Sequence, residues 1–136
     1  MSAVLLDTDM LSKVIKLRDA TVRKHALAYV QHHGPLAFSA VTRYKVLRGY
    51  KQQGATRQLA NFAVFCRHSL ILPVTDNIWD RTSDLWAFAR QNGHPHEDAD
   101  LVIAATALEH QRGLVTGNLR HFAWIPGLTI VDWRQP

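Results

Sequence analysis

Eleven residues of this 136-residue chain are acidic, and five of them, Asp7, Asp9, Glu97, Asp98 and Asp100, fall in two short stretches. Asp7 closes the apolar run "AVLLD". A lone carboxylate there is costly unless it is paired or bound to a cation. Asp100 stands directly before the apolar run "LVIAATAL" and is expected to point along that helix toward the same rim as Asp7. Carboxylates forced together repel, and a cation is the usual means of holding them. Oxygen ligands with no cysteine partner suit Mg2+ or Mn2+ rather than zinc. Mg2+ takes one or two carboxylates and keeps several waters, which leaves room for a phosphate oxygen and an attacking water. Metal-assisted hydrolysis of a phosphate ester is the chemistry such residues could do. Asp9 and Asp98 have a second reading, as helix N-caps.

The elements that must position these acids alternate between short apolar runs and helical stretches. "AVLLD" reads as a strand buried on both faces, and "TDMLSKVIKL" follows with a helical stripe of Met10, Leu11, Val14, Ile15 and Leu17. Residues 20–32 form a second helix ended by "HHGP", and "LAFS" is a short strand whose Ser39 can cap the next helix. That helix carries "TRYKVLRGY", with Tyr44, Leu47 and Tyr50 at helical spacing. A helix over about 55–67 precedes the strand "LILPV" at 70–74. "TDNIWDRTSDLWAFARQNG" is a long helix from a Thr/Asp cap to Gly93, and "DADLVIAATALEHQRG" repeats the pattern up to Gly113. "LVT" and "LTIVDW" are the closing strands. The alternation predicts one α/β domain over residues 1–136, a small parallel sheet with helices on both faces. In such sheets the active crevice lies beyond the carboxyl ends of the strands. That edge would collect Asp7 and Asp9 after the first strand and Thr116 and Asn118 after "LVT", with Asp98 and Asp100 opening the helix before it.

Composition narrows the setting. Hydrophobic residues make up 47% of the chain and charged residues 20%, an ordinary globular balance. No apolar run approaches the ~20 residues of a membrane span, and Asp7 interrupts the N-terminus too early for a secretory signal. The single cysteine, Cys66, cannot form an intramolecular disulfide, which fits a reducing cytoplasm. A formal charge of +5 and eight histidines favour nucleic acid or an acidic protein partner.

The stretches "LLDTDMLS", "SAVTRYKVLRG", "DADLVIAATAL" and "LVTGNLRHFAWIPGL" occur in the order and spacing of PIN-domain ribonucleases. More narrowly, the chain resembles VapC-type toxins of bacterial toxin–antitoxin pairs. The resemblance implies a Mg2+-dependent (or Mn2+-dependent) RNA endonuclease that leaves a 5′-phosphate and a 3′-hydroxyl. It also implies a VapB-like antitoxin and a homodimer. Its first acid falls on Asp7 and its third on Asp100, the two metal contacts. Asp98 is the neighbouring acid many members show, and the fourth polar position falls on Asn118, with Thr116 beside it. Thr8 and Asp9 take the polar places after the first acid. The second acid, a glutamate, falls on Lys45, although Ser39, Val41, Thr42 and Gly49 keep the surrounding motif.

A lysine in place of an acid changes the local charge by two units. At ~4 Å and an effective dielectric of about 20, each unit interaction is worth roughly 4 kcal/mol before screening. The expectation is an ammonium that pairs with Asp7 and Asp100, takes the cation's place and leaves weak metal binding and little cleavage; the alternative is a lysine that snorkels to solvent and leaves a crippled but metal-competent site. RNA would lie over Arg43, Arg48 and Lys51, with Arg18 and Arg120 beside them, through phosphate contacts that position without specifying sequence. Sequence choice would come from unpaired bases, in a tRNA or ribosomal RNA loop. Trp79 and Trp86 are expected in the core or a dimer contact, His94 and His96 in a plain loop, and Cys66 in the core. Two other readings compete: a non-catalytic antitoxin- or RNA-binding protein, and a phosphatase of the haloacid-dehalogenase kind, which "LLDTDML" imitates.

Overall fold

Five short runs pair into a fully parallel sheet of order β3-β2-β1-β4-β5, in a computed structural model that describes residues 2–136. The elements are β1 (Val4–Leu6), α1 (Thr8–Lys16), α2 (Ala20–His33), β2 (Ala37–Ser39), α3 (Ala40–Gln53), α4 (Thr56–Arg67) and β3 (Leu70–Leu72). They continue with α5 (Asp76–Asn92), α6 (Asp98–Glu109), β4 (Gly113–Val115), α7 (Leu119–Phe122) and β5 (Ile130–Val131). β1 is apolar throughout and β2 is apolar up to Ser39, and both are buried along their whole length. The edge strands are shorter than the sequence suggests. "LILPV" pairs only through Leu72, because Pro73 has no N–H to give a ladder, and "LTIVDW" pairs only at Ile130 and Val131.

Side-chain alternation along the strands divides the core in two. Val4 and Leu6 of β1, with Phe38 and Val115, face α1 to α4 and pack against Met10, Leu11, Tyr29 and Phe62. Leu5, Ala37 and Leu114 face the other way, against α5, α6 and α7. Between the sheet and α5 lies α6, whose residues Leu101–Ala107 are all buried. Its alanines at 104, 105 and 107 permit that double contact, since a bulkier helix would not fit between two layers.

Caps set where the helices start. Ser39 accepts from the Val41 N–H and Thr75 from the Ile78 N–H, as the sequence predicts. Asp9 and Asp98 do not cap. The N-cap of α1 is Asp7, and that of α6 is Glu97, whose side chain makes no capping bond. β1 hands Asp7 to β4 through an Asp7 N–H to Val115 carbonyl bond at 3.1 Å. The helix therefore starts one residue after the sheet ends, leaving Asp9 and Asp98 inside first turns.

On α3 the buried positions are Thr42 and Val46, with Leu47 and Tyr50 partly covered, while Tyr44 is 56% exposed. Trp79 and Trp86 are also largely exposed on α5, which removes the core reading for both. Cys66 is partly buried against the first core. His94 is more than loop filler: its ring stacks on Trp124 with centroids 4.9 Å apart. Among the described residues, no helix is long and apolar enough to cross a membrane.

Candidate functional site

The strand order reverses at β1, with β2 on one side and β4 on the other, and the chain leaves both central strands at the same edge. Asp7 and Thr116 are the residues that follow those strands. There the cleft Asp7, Thr8, Asp9, Lys45, Glu97, Asp100, Asn118 and His121 share measures about 220 Å3. Segments more than 100 positions apart in sequence thus supply one rim, as the switch-point rule requires.

Asp7 is held from two sides and is only 3% exposed. Its Oδ1 accepts from the Met10 N–H at 2.8 Å, and its Oδ2 accepts from the Thr116 hydroxyl at 2.5 Å. Thr116 in turn accepts from the Asn118 N–H at 3.0 Å, so the turn after β4 is tied to the first acid. Burial pushes the Asp7 carboxyl up to about 6 against the two hydrogen bonds that pull it down, with the charges of Asp9 and Asp100 adding to the rise. Asp100 lies in the first turn of α6, and burial raises it as well. Its Oδ2 meets the Nδ1 of His121 at 2.7 Å, which opposes the rise. Thr8 and Thr42 hydroxyls meet at 3.1 Å and dock α3 onto α1 beside Asp7.

Lys45 is one turn beyond Thr42 and reaches the cleft, but it makes no ion pair with either acid. Among the described residues the ion pairs are Arg81–Glu109, His121–Asp100 and Arg134–Asp132. The Lys45 charge lowers Asp100 only as the smallest of its named influences and does not figure for Asp7. The expected ammonium plug is therefore absent from this arrangement. A buried and a partly buried carboxylate, both held above the ordinary range, with two further carboxylates on Asp9 and Glu97 lining the cleft, fit a hard divalent ion. No three His, Cys, Asp or Glu side chains among the described residues converge as a complete metal shell, so such an ion would finish its coordination with water or phosphate.

Other expected residues lie elsewhere. Asp98 lines a separate depression with Trp79, Thr82, Ser83, Trp86 and Val102. Arg43 turns toward Cys66, where its charge opposes the burial that raises the thiol. Arg48 folds back over Tyr44, its guanidinium 5.1 Å from the ring centre, and Lys51 is exposed in the last turn of α3. Besides Lys45 and His121 in the cleft itself, bases on and after α1 line the grooves beside it. One groove beside the cleft is lined by Asp9, Ser12, Lys13, Lys16, Arg18 and Asp19. A second joins Thr8 and Lys45 to Lys16, Arg18, Tyr50, Gln53, Gln58 and Asn61. His121 is the site residue that sequence reasoning missed. Its signal is the spacing in "TGNLRHF", where it stands one helical turn after Asn118.

Comparison with known proteins follows the same lines. No curated protein matches the chain. The DNA-bound VapBC complex of Salmonella typhimurium contains a chain 27% identical, with a TM-score of 0.86 over 98% of this chain and 99% of that one. A toxin–antitoxin complex from Klebsiella pneumoniae gives 25% identity and a TM-score of 0.69 over 96% and 98%. The DNA-bound VapBC2 of Rickettsia felis, at 20% identity, shares the fold with a TM-score of 0.85 over 96% and 98%. A profile of the PIN domain matches residues 4–127, and the chain belongs to the PIN-domain family.

Proposed function

We propose that this chain is the toxin of a VapBC-type pair, a metal-dependent endoribonuclease whose activity Lys45 lowers. The observation that carries this reading is the meeting of Asp7 and Asp100 in one polar cleft at the strand-order reversal. The family match and the likeness to the Salmonella typhimurium complex support it. Asp7 and Asp100 are the residues that would hold Mg2+ or Mn2+. Such an ion, when bound, polarises a phosphodiester oxygen and lowers the pKa of water.

The chain's own residues do the rest. Thr116 and the Met10 N–H fix the Asp7 carboxylate, so no rotamer search is needed when a cation arrives. Asp9 and Glu97 line the same cleft, and either carboxylate can orient a water for in-line attack. Asn118 offers a neutral amide to phosphate or water. The grooves bearing Lys13, Lys16 and Arg18 give the RNA backbone a positive track leading to the acids. Arg43, Arg48 and Lys51 line neither the cleft nor these two grooves, so they take the smaller share of that role.

The remaining parts of the proposal are a VapB-like antitoxin, whose helix would set a basic side chain against the acids, a homodimer and a cytoplasmic setting. The exposed α5 face with Trp79 and Trp86 is the surface a homodimer would cover. Lys45 acts by its charge at the cleft mouth. Beyond ion-pair contact and at an effective dielectric of about 20, that charge opposes a divalent ion by a few kcal/mol before screening.

The test is cleavage of purified tRNA and ribosomal RNA in Mg2+ by the chain, Lys45→Glu and Asp7→Asn. The expected result is slow cutting by the chain, at least ~10-fold faster cutting by Lys45→Glu, and none by Asp7→Asn or with EDTA. Equal rates for the chain and Lys45→Glu would remove the impairment. RNA binding with no cutting by a folded Lys45→Glu would leave a non-catalytic binding protein.

A further inference from the structure

The two acids of the cleft are steadied unequally. Asp7 receives a backbone N–H and a hydroxyl, and is locked by its place between β1 and α1. Asp100 sits in the open first turn of α6, where Glu97 supplies no side-chain cap. Its one side-chain hydrogen bond among the described residues is with His121, Nδ1 to Oδ2 at 2.7 Å. Both side chains are largely covered, at 23% exposure for His121 and 14% for Asp100. An ionised carboxylate only accepts, so Nδ1 must carry the hydrogen.

We propose that His121 is a positioning residue for Asp100: its Nδ1–H turns Oδ2 toward α7 and leaves Oδ1 as the oxygen offered to a cation. The inference rests on the metal-centre reading of the cleft. Its physical basis is general, because a carboxylate hydrogen-bonded through one oxygen is pre-oriented to bind through the other, and such outer partners tune metal affinity. The short segment after β4 then acts on both acids. Thr116 holds Asp7, and His121, carried round by α7, holds Asp100. A free Asp100 carboxylate would have to lose rotational freedom each time an ion bound.

Mn2+ titration, read from the electron paramagnetic resonance signal of the free ion, tests this in the chain and in Lys45→Glu. In either background His121→Ala is expected to weaken Mn2+ binding roughly 10–100-fold. An asparagine amide falls near the place of Nδ1, whereas a glutamine amide falls near Nε2. His121→Asn should therefore stay close to its parent, and His121→Gln should behave like alanine. In the metal-free chain, imidazole 15N shifts should show the Nδ1–H form of His121, and Asp100→Asn should move them. His121→Ala binding Mn2+ as tightly as its parent, or glutamine rescuing as well as asparagine, would overturn the role. If Asp7→Asn still abolishes binding in that case, the metal centre stands and only the His121 inference falls. If no variant binds Mn2+, Lys45→Glu included, both fall together. Should His121→Ala fail to fold by circular dichroism, the asparagine–glutamine contrast decides.

Discussion

At Asp7 one side chain has two jobs whose demands conflict. It caps α1 and, in the proposed site, faces a cation, while burial holds its carboxyl at about 6 rather than the ordinary 3.8. A raised folded-state value means that the folded chain binds the proton more tightly than the unfolded one. The stability this gives is complete below about pH 3.8 and is lost as pH rises through about 6. Near neutral pH the ionised carboxylate thus costs on the order of 3 kcal/mol without a cation. Asp7→Asn keeps the acceptor for the Met10 N–H and removes the buried charge. In EDTA at pH 7.5 it should be more stable than the parent by about 1–3 kcal/mol in urea unfolding, with the gap closing toward pH 4. An asparagine variant less stable at pH 7.5 would show that hydrogen bonding, not burial, dominates. Lys45→Glu should show the opposite trade. Its new charge faces acids already raised, so it should lose ~1 kcal/mol in EDTA and regain it as Mg2+ is added, by mass action on the folded state. A melting temperature of Lys45→Glu that ignores Mg2+ would count against a metal centre.

Elements carry a second lesson, about what local sequence can and cannot fix. Leu17 ends α1 in the left-handed region at φ 54° and is exposed. That conformation costs a non-glycine residue roughly 1–2 kcal/mol, part of which glycine gives back through the unfolded chain. Leu17→Gly should therefore raise stability by about 0.5 kcal/mol, seen as a melting point higher by a few degrees. A lower melting point would mean that the leucine side chain packs usefully. β1, α6 and the acid-bearing edge were legible because "AVLLD" and "LVIAATAL" are too apolar to be anything but buried, the first as a strand and the second as a helix. Which aspartate of "DTD" caps α1 was not, since both suit the place and only the pairing of β1 with β4 decides. Tyr44, Leu47 and Tyr50 illustrate a different limit. Steps of three fall short of the ~3.6 residues of a turn, so the three positions drift around the helix and Tyr44 leaves the buried face. Lys45 was placed at the cleft by the motif resemblance and does line it, but the expected ion pair does not form, because a long flexible stem allows both pairing and snorkelling and sequence does not choose between them. His121 is marked only by its spacing one helical turn after Asn118 in "TGNLRHF", a weaker signal than a carboxylate at the end of an apolar run.

Across the whole molecule the question becomes whether the charge of +5 acts as a diffuse field or as a track. A diffuse field would draw RNA to any face, and every lysine or arginine would count about equally. The structure puts Lys13, Lys16 and Arg18 in grooves that share Asp9, Thr8 and Lys45 with the acidic cleft. It puts Arg43, Arg48 and Lys51 outside that cleft, the first toward Cys66 and the second over Tyr44. Replacing either trio by alanine removes the same three charges, so net charge alone predicts equal effects. The track predicts unequal ones. Each phosphate contact on single-stranded RNA contributes about 0.7 to the slope of log affinity against log salt. Alanine at 13, 16 and 18 should reduce that slope by about 2, whereas alanine at 43, 48 and 51 should leave it nearly unchanged. Filter binding of a short unpaired RNA between low and moderate salt, in EDTA to prevent cutting, measures both slopes. Equal losses in the two variants would return the RNA surface to the field of the whole protein and detach it from α1.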